Sequence, residues 1–209
     1  MAIFHITNRG VEKRKIFLDD EDRLRFVHSL IDLNNKNDSL LSYKDRRKIE
    51  TSAGIENDKE PLVDILAWCL MPNHFHLLVN EKIKAGAGKF SKKITGGYTQ
   101  YFNLKRKRGG FLFQGKTKIL SINNDPYFLY IPYYIFTNPL KLKQSDWKKV
   151  GVKKPAKMFE FIENYKWSSL QDTIGKNNFP EIINKKLFFK LFNSNAKELR
   201  KDIKNWLSN

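Results

Sequence analysis

The spacing of apolar positions changes several times along this chain, and each change marks an element. Ile3-Phe4-His5-Ile6-Thr7 has strand character and is closed by Asn8-Arg9-Gly10, where the glycine suits a turn or a left-handed backbone. From Glu21 to Asn34 the period lengthens. Leu24, Val27, His28 and Ile31 follow i, i+3, i+4, i+7 and predict an amphipathic helix capped by Asp19 or Asp20. Residues 35–61 are polar without a sustained period and read as an excursion, with a short helix allowed over Lys44–Glu50. Val63–Leu70 is apolar enough for a central strand, followed by a turn at Pro72-Asn73 and a second strand through Val79. Phe90, Ile94, Tyr98, Tyr101 and Leu104 predict a helix over residues 89–107, bent or closely approached at Gly96-Gly97. Phe111–Ile122 reads as a strand bent at Gly115. Asn124-Asp125-Pro126 opens a helix that ends before Pro139. Leu187, Leu191, Leu199, Ile203 and Leu207 suggest helical packing near the C-terminus.

The order strand, helix, strand, strand, helix, strand predicts an α+β fold. It is the ferredoxin-like split βαβ sandwich, an antiparallel sheet with helices on one face. A further helix and a basic helical tail are added to it. The expected division is a domain over 1–145, with 35–61 as its polar excursion, and an extension over 146–209 packed on or beside it.

Composition narrows the partners. The 209 residues carry 39 Lys and Arg against 22 Asp and Glu, a net charge of +17. Such a surface attracts polyanions, nucleic acid first, although a lysine-rich composition bias produces the same total. Nine basic and no acidic residues lie between Lys82 and Arg108. Lys105-Arg106-Lys107-Arg108, beside Tyr98, Tyr101 and Phe102, fits either a solvated face or a groove that tracks phosphates and stacks bases. Cys69, the one cysteine, cannot form an internal disulfide and stands in a buried strand. No secretory signal or membrane span is expected, so the chain reads as soluble and cytoplasmic.

Two of the four histidines, His74 and His76, lie in a three-residue window. Alternation puts His74, His76 and Leu78 on one face of a strand and Phe75, Leu77 and Val79 on the other. By spacing alone the pair is either a polar strand face or two ligands converging on one cation. His5 and His28 read as structural. In the helix before Pro139, Tyr127, Tyr130, Tyr134 and Asn138 follow i, i+3, i+7, i+11 and share a face, whereas Tyr133 lies off it. Tyrosines at that spacing are ordinarily core residues with hydroxyls at the rim.

Met71-Pro72-Asn73-His74-Phe75-His76-Leu77-Leu78-Val79 resembles the His-hydrophobic-His signature of the single-tyrosine HUH transposases. The REP-associated tyrosine transposases, relatives of insertion-sequence transposase A, are the nearest branch. His5-Ile6-Thr7-Asn8-Arg9-Gly10 looks like that family's first strand. Tyr134-Ile135-Phe136-Thr137-Asn138-Pro139 matches its Tyr-Ile-x-x-Asn-Pro segment, and Lys166-Trp167-Ser168-Ser169-Leu170 looks like its tail. The resemblance covers about residues 1–35 and 63–170.

It implies Tyr134 as the nucleophile and His74, His76 and Asn138 as ligands of a divalent metal, Mg2+ or Mn2+. The implied reaction cleaves and rejoins single-stranded DNA through a 5′-phosphotyrosine, beside a hairpin. Arg9, Lys105, Arg106, Lys107, Arg108, Lys116 and Lys118 are the candidate DNA contacts. Insertion-sequence relatives are dimers that exchange the tyrosine helix, and the REP-associated branch tends toward monomers; the basic tail favours the monomer. Pro132 departs from the pattern and is expected to kink the helix, which leaves Tyr130 and Tyr133 as rival nucleophiles. A non-catalytic nucleic-acid-binding module of the same fold and an RNA endonuclease are the alternatives.

Overall fold

The structure is a computed structural model that describes residues 1–36, 60–122 and 125–208. The expected excursion's core and its short helix, and the capping residue Asn124, lie outside the described residues. Four strands form one antiparallel sheet: β1 (Ala2–Arg9), β2 (Val63–Met71), β3 (His74–Glu81) and β4 (Lys118–Ser121). Their order is β2-β3-β1-β4, the ferredoxin-like arrangement, so the outer strands are the β2 hairpin arm and the late strand β4.

Helices α1 (Asp20–Asp32) and α2 (Gly86–Lys105) cover one face. Asp19 caps α1 by accepting the Asp22 amide at 2.8 Å, as its polar start suggested. Phe26, Val27 and Leu30 then meet Phe75, Leu77 and Val79 of β3 in one buried core. Phe26 and Phe75 have ring centres 4.9 Å apart. Gly97 lies where α2 passes α1, and a Cβ there would come 3.2 Å from Leu33.

The opposite face carries α3 (Asp125–Thr137), a 3-10 turn at Asn138–Leu142, and α4 (Trp147–Val150). It also carries α5 (Pro155–Glu163), α6 (Leu170–Thr173), α7 (Lys185–Phe192) and α8 (Ala196–Ser208). Ile131 and Ile135 of α3, Phe188 of α7 and Ile203 of α8 share a second core with Ala67, Cys69 and Leu78 of the sheet. Trp167-Ser168-Ser169 runs along the outer edge of β2. The Leu70 amide donates to the Trp167 carbonyl at 2.8 Å and the Ser169 amide to the Trp68 carbonyl at 2.9 Å. This pairing covers an otherwise open edge of the sheet.

Two local expectations are corrected. Gly10 has an ordinary φ of −58°, so it is not a left-handed turn residue. It is required by proximity, since a Cβ there would stand 2.4 Å from the Arg14 carbonyl. The strand expected from Phe111 starts only at Lys118. Leu112 and Phe113 are buried in succession and Gly115 is left-handed, so the segment cannot alternate as a strand does. Helix α3 runs through Pro132 to Thr137, the end expected before Pro139.

Candidate active site

The turn joining β2 to β3 is clamped before the histidines begin. The Ile16 amide donates to the Pro72 carbonyl at 2.8 Å and the Gly10 amide to the Asn73 carbonyl at 2.8 Å. The Asn73 side chain donates to the Lys13 carbonyl at 2.9 Å. Its remaining oxygen, Oδ1, lies 2.6 Å from His74 Nδ1. An amide oxygen only accepts, so Nδ1 carries the proton and His74 Nε2 keeps its lone pair.

Register brings the other groups to this face. Arg9 of β1 pairs with His74, Thr7 with His76 and His5 with Leu78. Directly opposed residues share a face, so Arg9, Thr7 and His5 line the histidine side. Lys118 of β4 pairs with Thr7 and shares that face. His5 Nε2 lies 2.9 Å from His76 Nδ1, and the Tyr127 hydroxyl 3.3 Å from His5 Nδ1. His5 is therefore a correction: it belongs to the site and fixes the ring of His76. The remaining nitrogen, His76 Nε2, is buried and has no hydrogen-bond partner.

Helix α3 supplies the facing wall. The Tyr134 ring stands edge-on to His76 with centroids 5.3 Å apart, and to His5 at 6.1 Å. Nucleophile candidate and histidines meet within one chain. Tyr130 lies beside Tyr134 with ring centres 6.0 Å apart and planes tilted by 40°, and is 37% exposed. Tyr133 points elsewhere; it lines a cavity with Phe188 and Leu199, and burial followed by nearby Asp202 raises its pKa. Asn138 begins the next turn. Its Nδ2 donates to the Tyr134 carbonyl at 3.3 Å, whereas its buried Oδ1 has no partner.

The electrostatics agree with neutral imidazoles. Burial lowers the His5 pKa to about 4. Burial, then Arg9 and Lys141, lowers His74 to about 4, although the neighbouring Asn138 side chain favours its protonated form. His76 is depressed well below its ordinary value, by burial and then by His5 and His74. Burial and then Arg9 also lower the pKa of Lys141. Among the described residues, no group of three or more His, Cys, Asp or Glu is arranged to hold a metal. In the tautomer where His76 Nδ1 donates to His5, two imidazole nitrogens with lone pairs and one unpartnered amide oxygen nevertheless suit a divalent cation. Such a set is neutral and leaves the cation's charge for other oxygen ligands.

The remaining candidates separate. Lys105 Nζ lies 2.9 Å from the buried Asp22 carboxylate and 3.1 Å from Asp19, and Arg106 lies 2.7 Å from Asp19 and 3.0 Å from Asp22. These two cations are corrected to a structural lock between α1 and the end of α2. Tyr98, Tyr101 and Phe102 are corrected with them. Tyr98 donates to the Ile16 carbonyl at 2.5 Å, Tyr101 donates to Asp22 at 3.2 Å, and Phe102 is buried, so none stacks on a base there. Lys107, Lys116 and Lys118 are exposed. Arg108 is half-buried and donates to Asn103 Oδ1 at 2.8 Å. Arg9 and Lys141 border the histidines and have no ion pair among the described residues.

In this α+β domain a tyrosine, two histidines and an amide meet on one face of the sheet. The family model for IS200-like transposases matches residues 27–138, more than half of the chain and the span that includes His74, His76, Tyr134 and Asn138. The chain belongs to the IS200-like transposase family, whose class of activity is DNA transposition. Among solved structures it is similar to a REP-associated tyrosine transposase bound to a REP hairpin. The two are 14% identical with a TM-score of 0.47, over 86% of this chain and 82% of that one. No curated protein matches the chain. No helix among the described residues is long and apolar enough to cross a membrane.

Proposed function

We propose that this transposase cleaves and rejoins single-stranded DNA with Tyr134 as nucleophile, assisted by a divalent metal. The observation that carries the reading is the pair of buried polar atoms without hydrogen-bond partners, His76 Nε2 and Asn138 Oδ1, beside the Tyr134 ring. Buried polar atoms without partners are costly unless something fills the gap, and a cation fills it when His76 donates from Nδ1 to His5 and keeps its Nε2 lone pair. His74, His76 and Asn138 would hold Mg2+ or Mn2+. When bound, the cation supplies Lewis-acid polarisation of the scissile phosphate.

The chain's own residues do the rest. The Tyr134 hydroxyl oxygen attacks phosphorus, the new O–P bond forms, and the P–O3′ bond breaks. The phenol proton goes to solvent, and the departing 3′-oxygen takes one from solvent. The product is a 5′-phosphotyrosine and a 3′-hydroxyl, which reverses the step when it attacks in turn. The bond count is conserved, so rejoining needs no outside energy source. Arg9 and Lys141 receive the phosphate, and Lys118, Lys116, Lys107 and Arg108 extend the positive track. The tyrosine and histidines of one chain suffice, which favours a monomer acting in cis. A hairpin beside the cleaved strand is the expected substrate, from the chain's resemblance to the REP-associated branch.

The test is covalent capture. The protein is incubated with 3′-labelled hairpin DNA from the flanks of its own gene and Mn2+, then run on a denaturing gel. The reading expects a labelled adduct that disappears with Tyr134→Phe and with His76→Ala while salt-sensitive DNA binding persists. Binding without an adduct, across hairpins that include the native flanks, sinks it and favours a binding module.

A further inference from the structure

Lys148 lies ten residues beyond the family-matched span, which ends at residue 138. It belongs to α4, yet its Nζ stands 4.2 Å from the centre of the Tyr134 ring. That is well inside the range at which an ammonium is held by an aromatic face. No carboxylate places it there: Lys148 has no ion pair among the described residues.

Its backbone is placed from both sides. The preceding Trp147 is buried and meets Trp206 of the last helix edge-on at 5.4 Å. Gln144 braces the loop by donating to the Gly151 carbonyl at 2.8 Å and accepting from the Lys153 amide at 3.1 Å. Lys141 stands near enough to oppose the Lys148 charge, after partial desolvation has already done so. Two ammonium groups held together without an anion repel each other, and an arriving phosphate relieves that repulsion.

We propose that Lys148 is a positioning residue for Tyr134, so that the C-terminal extension completes the active site. Its ammonium grips the phenol ring by the face and adds positive charge beside the nucleophile. The catalytic consequence rests on the transposase reading; the contact with the ring does not.

Two readouts on the full chain keep these apart, each for wild type, Lys148→Met and Lys148→Arg. The first, without DNA, is the rate at which an aryl sulfonyl fluoride labels Tyr134, located by peptide mass spectrometry. The second is the rate of covalent DNA capture, with DNA affinity measured alongside. Lys148→Met is expected to slow labelling and capture by ~10-fold each, the scale of a partly desolvated cation–π contact, with DNA affinity changed far less. Lys148→Arg should restore most of both. Unchanged labelling in Lys148→Met overturns the positioning role, whatever happens to capture. Slowed labelling in a protein that never forms an adduct leaves the role standing and defeats the transposase reading instead.

Discussion

Lys105 and Arg106 occupy the densest basic run of the sequence, whereas Arg9, Lys141 and Lys148 are scattered over 140 residues and look ordinary there. In the fold their parts reverse. The first two are neutralised by Asp19 and by Asp22, whose side chain is fully buried. Hydrogen bonds from the Asp22 amide, Arg106 and Lys105 overcome the desolvation that opposes them and hold Asp19 far below the usual carboxylate range. The other three converge on Tyr134 and the histidines with no acid among the described residues to meet them. A lock balances its charges internally, and a phosphate site leaves them unbalanced until the ligand comes.

The sharpest break in that comparison is at the nucleophile. Tyr134→Phe should reduce covalent capture by more than about 10^3-fold, because the account assigns the bond to its hydroxyl alone. DNA affinity should hardly change, and Tyr130→Phe should keep most of the capture. A Tyr130→Phe variant as dead as Tyr134→Phe would move the centre of the site one turn back along α3.

Next in size is the lock. Asp22→Ala removes the buried acid that Lys105, Arg106 and Tyr101 share, and should destabilise the protein by about 3 kcal/mol in urea unfolding. Lys105 and Arg106 keep Asp19, and Lys105 keeps Glu21, on the α1–α2 side of the sheet, so the capture rate of folded protein should stay near wild type. A gain in hairpin affinity large enough to rival the site's own contacts would place DNA on the lock as well.

His5 comes third. His5→Phe keeps the ring volume but strips His76 Nδ1 of its partner, and should lower Mn2+ affinity by about 10–100-fold in calorimetry. The same cluster sets a pH dependence in metal-free protein. His5 and His74 have pKa values lowered from 6.5 to about 4, so the unfolded chain binds protons that the folded site refuses. Stability is then full above pH 6.5 and falls as pH drops toward about 4, by at most about 1.4 kcal/mol per pH unit for each histidine. A flat stability profile between those values, in a His5→Phe series, would show that these rings are not held neutral.

The smallest effect separates the clusters most cleanly. Arg9→Gln should reduce the salt dependence of single-strand binding by about 0.7 in log–log slope, with thermal stability equal to wild type or slightly raised by relief of repulsion with Lys141. Lys105→Met should do the opposite, lowering stability and leaving the slope unchanged. If both variants change the slope equally, the distinction between lock and site fails.

Much of the scaffold was legible because it follows periods. The alternation through Phe75, Leu77 and Val79 placed the histidines on the other face, as found. The i, i+3, i+7, i+11 series separated Tyr134 and Asn138 from Tyr133, and the family motifs chose among the tyrosines. What stayed hidden depends on pairing between distant segments. His5 gained its place only from the register of β1 against β3, which no local pattern states. A histidine two residues before Thr7 on the neighbouring strand was the available signal. The fate of Lys105 and Arg106 was fixed by Asp19 and Asp22, more than eighty residues earlier. Lys148 needed the packing of Trp147 on Trp206, which periodicity does not encode. Phe111–Thr117 misled because an apolar run looks the same whether it alternates or buries neighbours in succession.

The most direct test of the central claim is to digest the captured protein–DNA adduct and sequence the modified peptide by mass spectrometry. The account expects the nucleotide on Tyr134, joined through a 5′-phosphate, with an unmodified 3′-hydroxyl on the released strand. A nucleotide on Tyr130 or Tyr133, or a 3′-phosphate linkage, would contradict it.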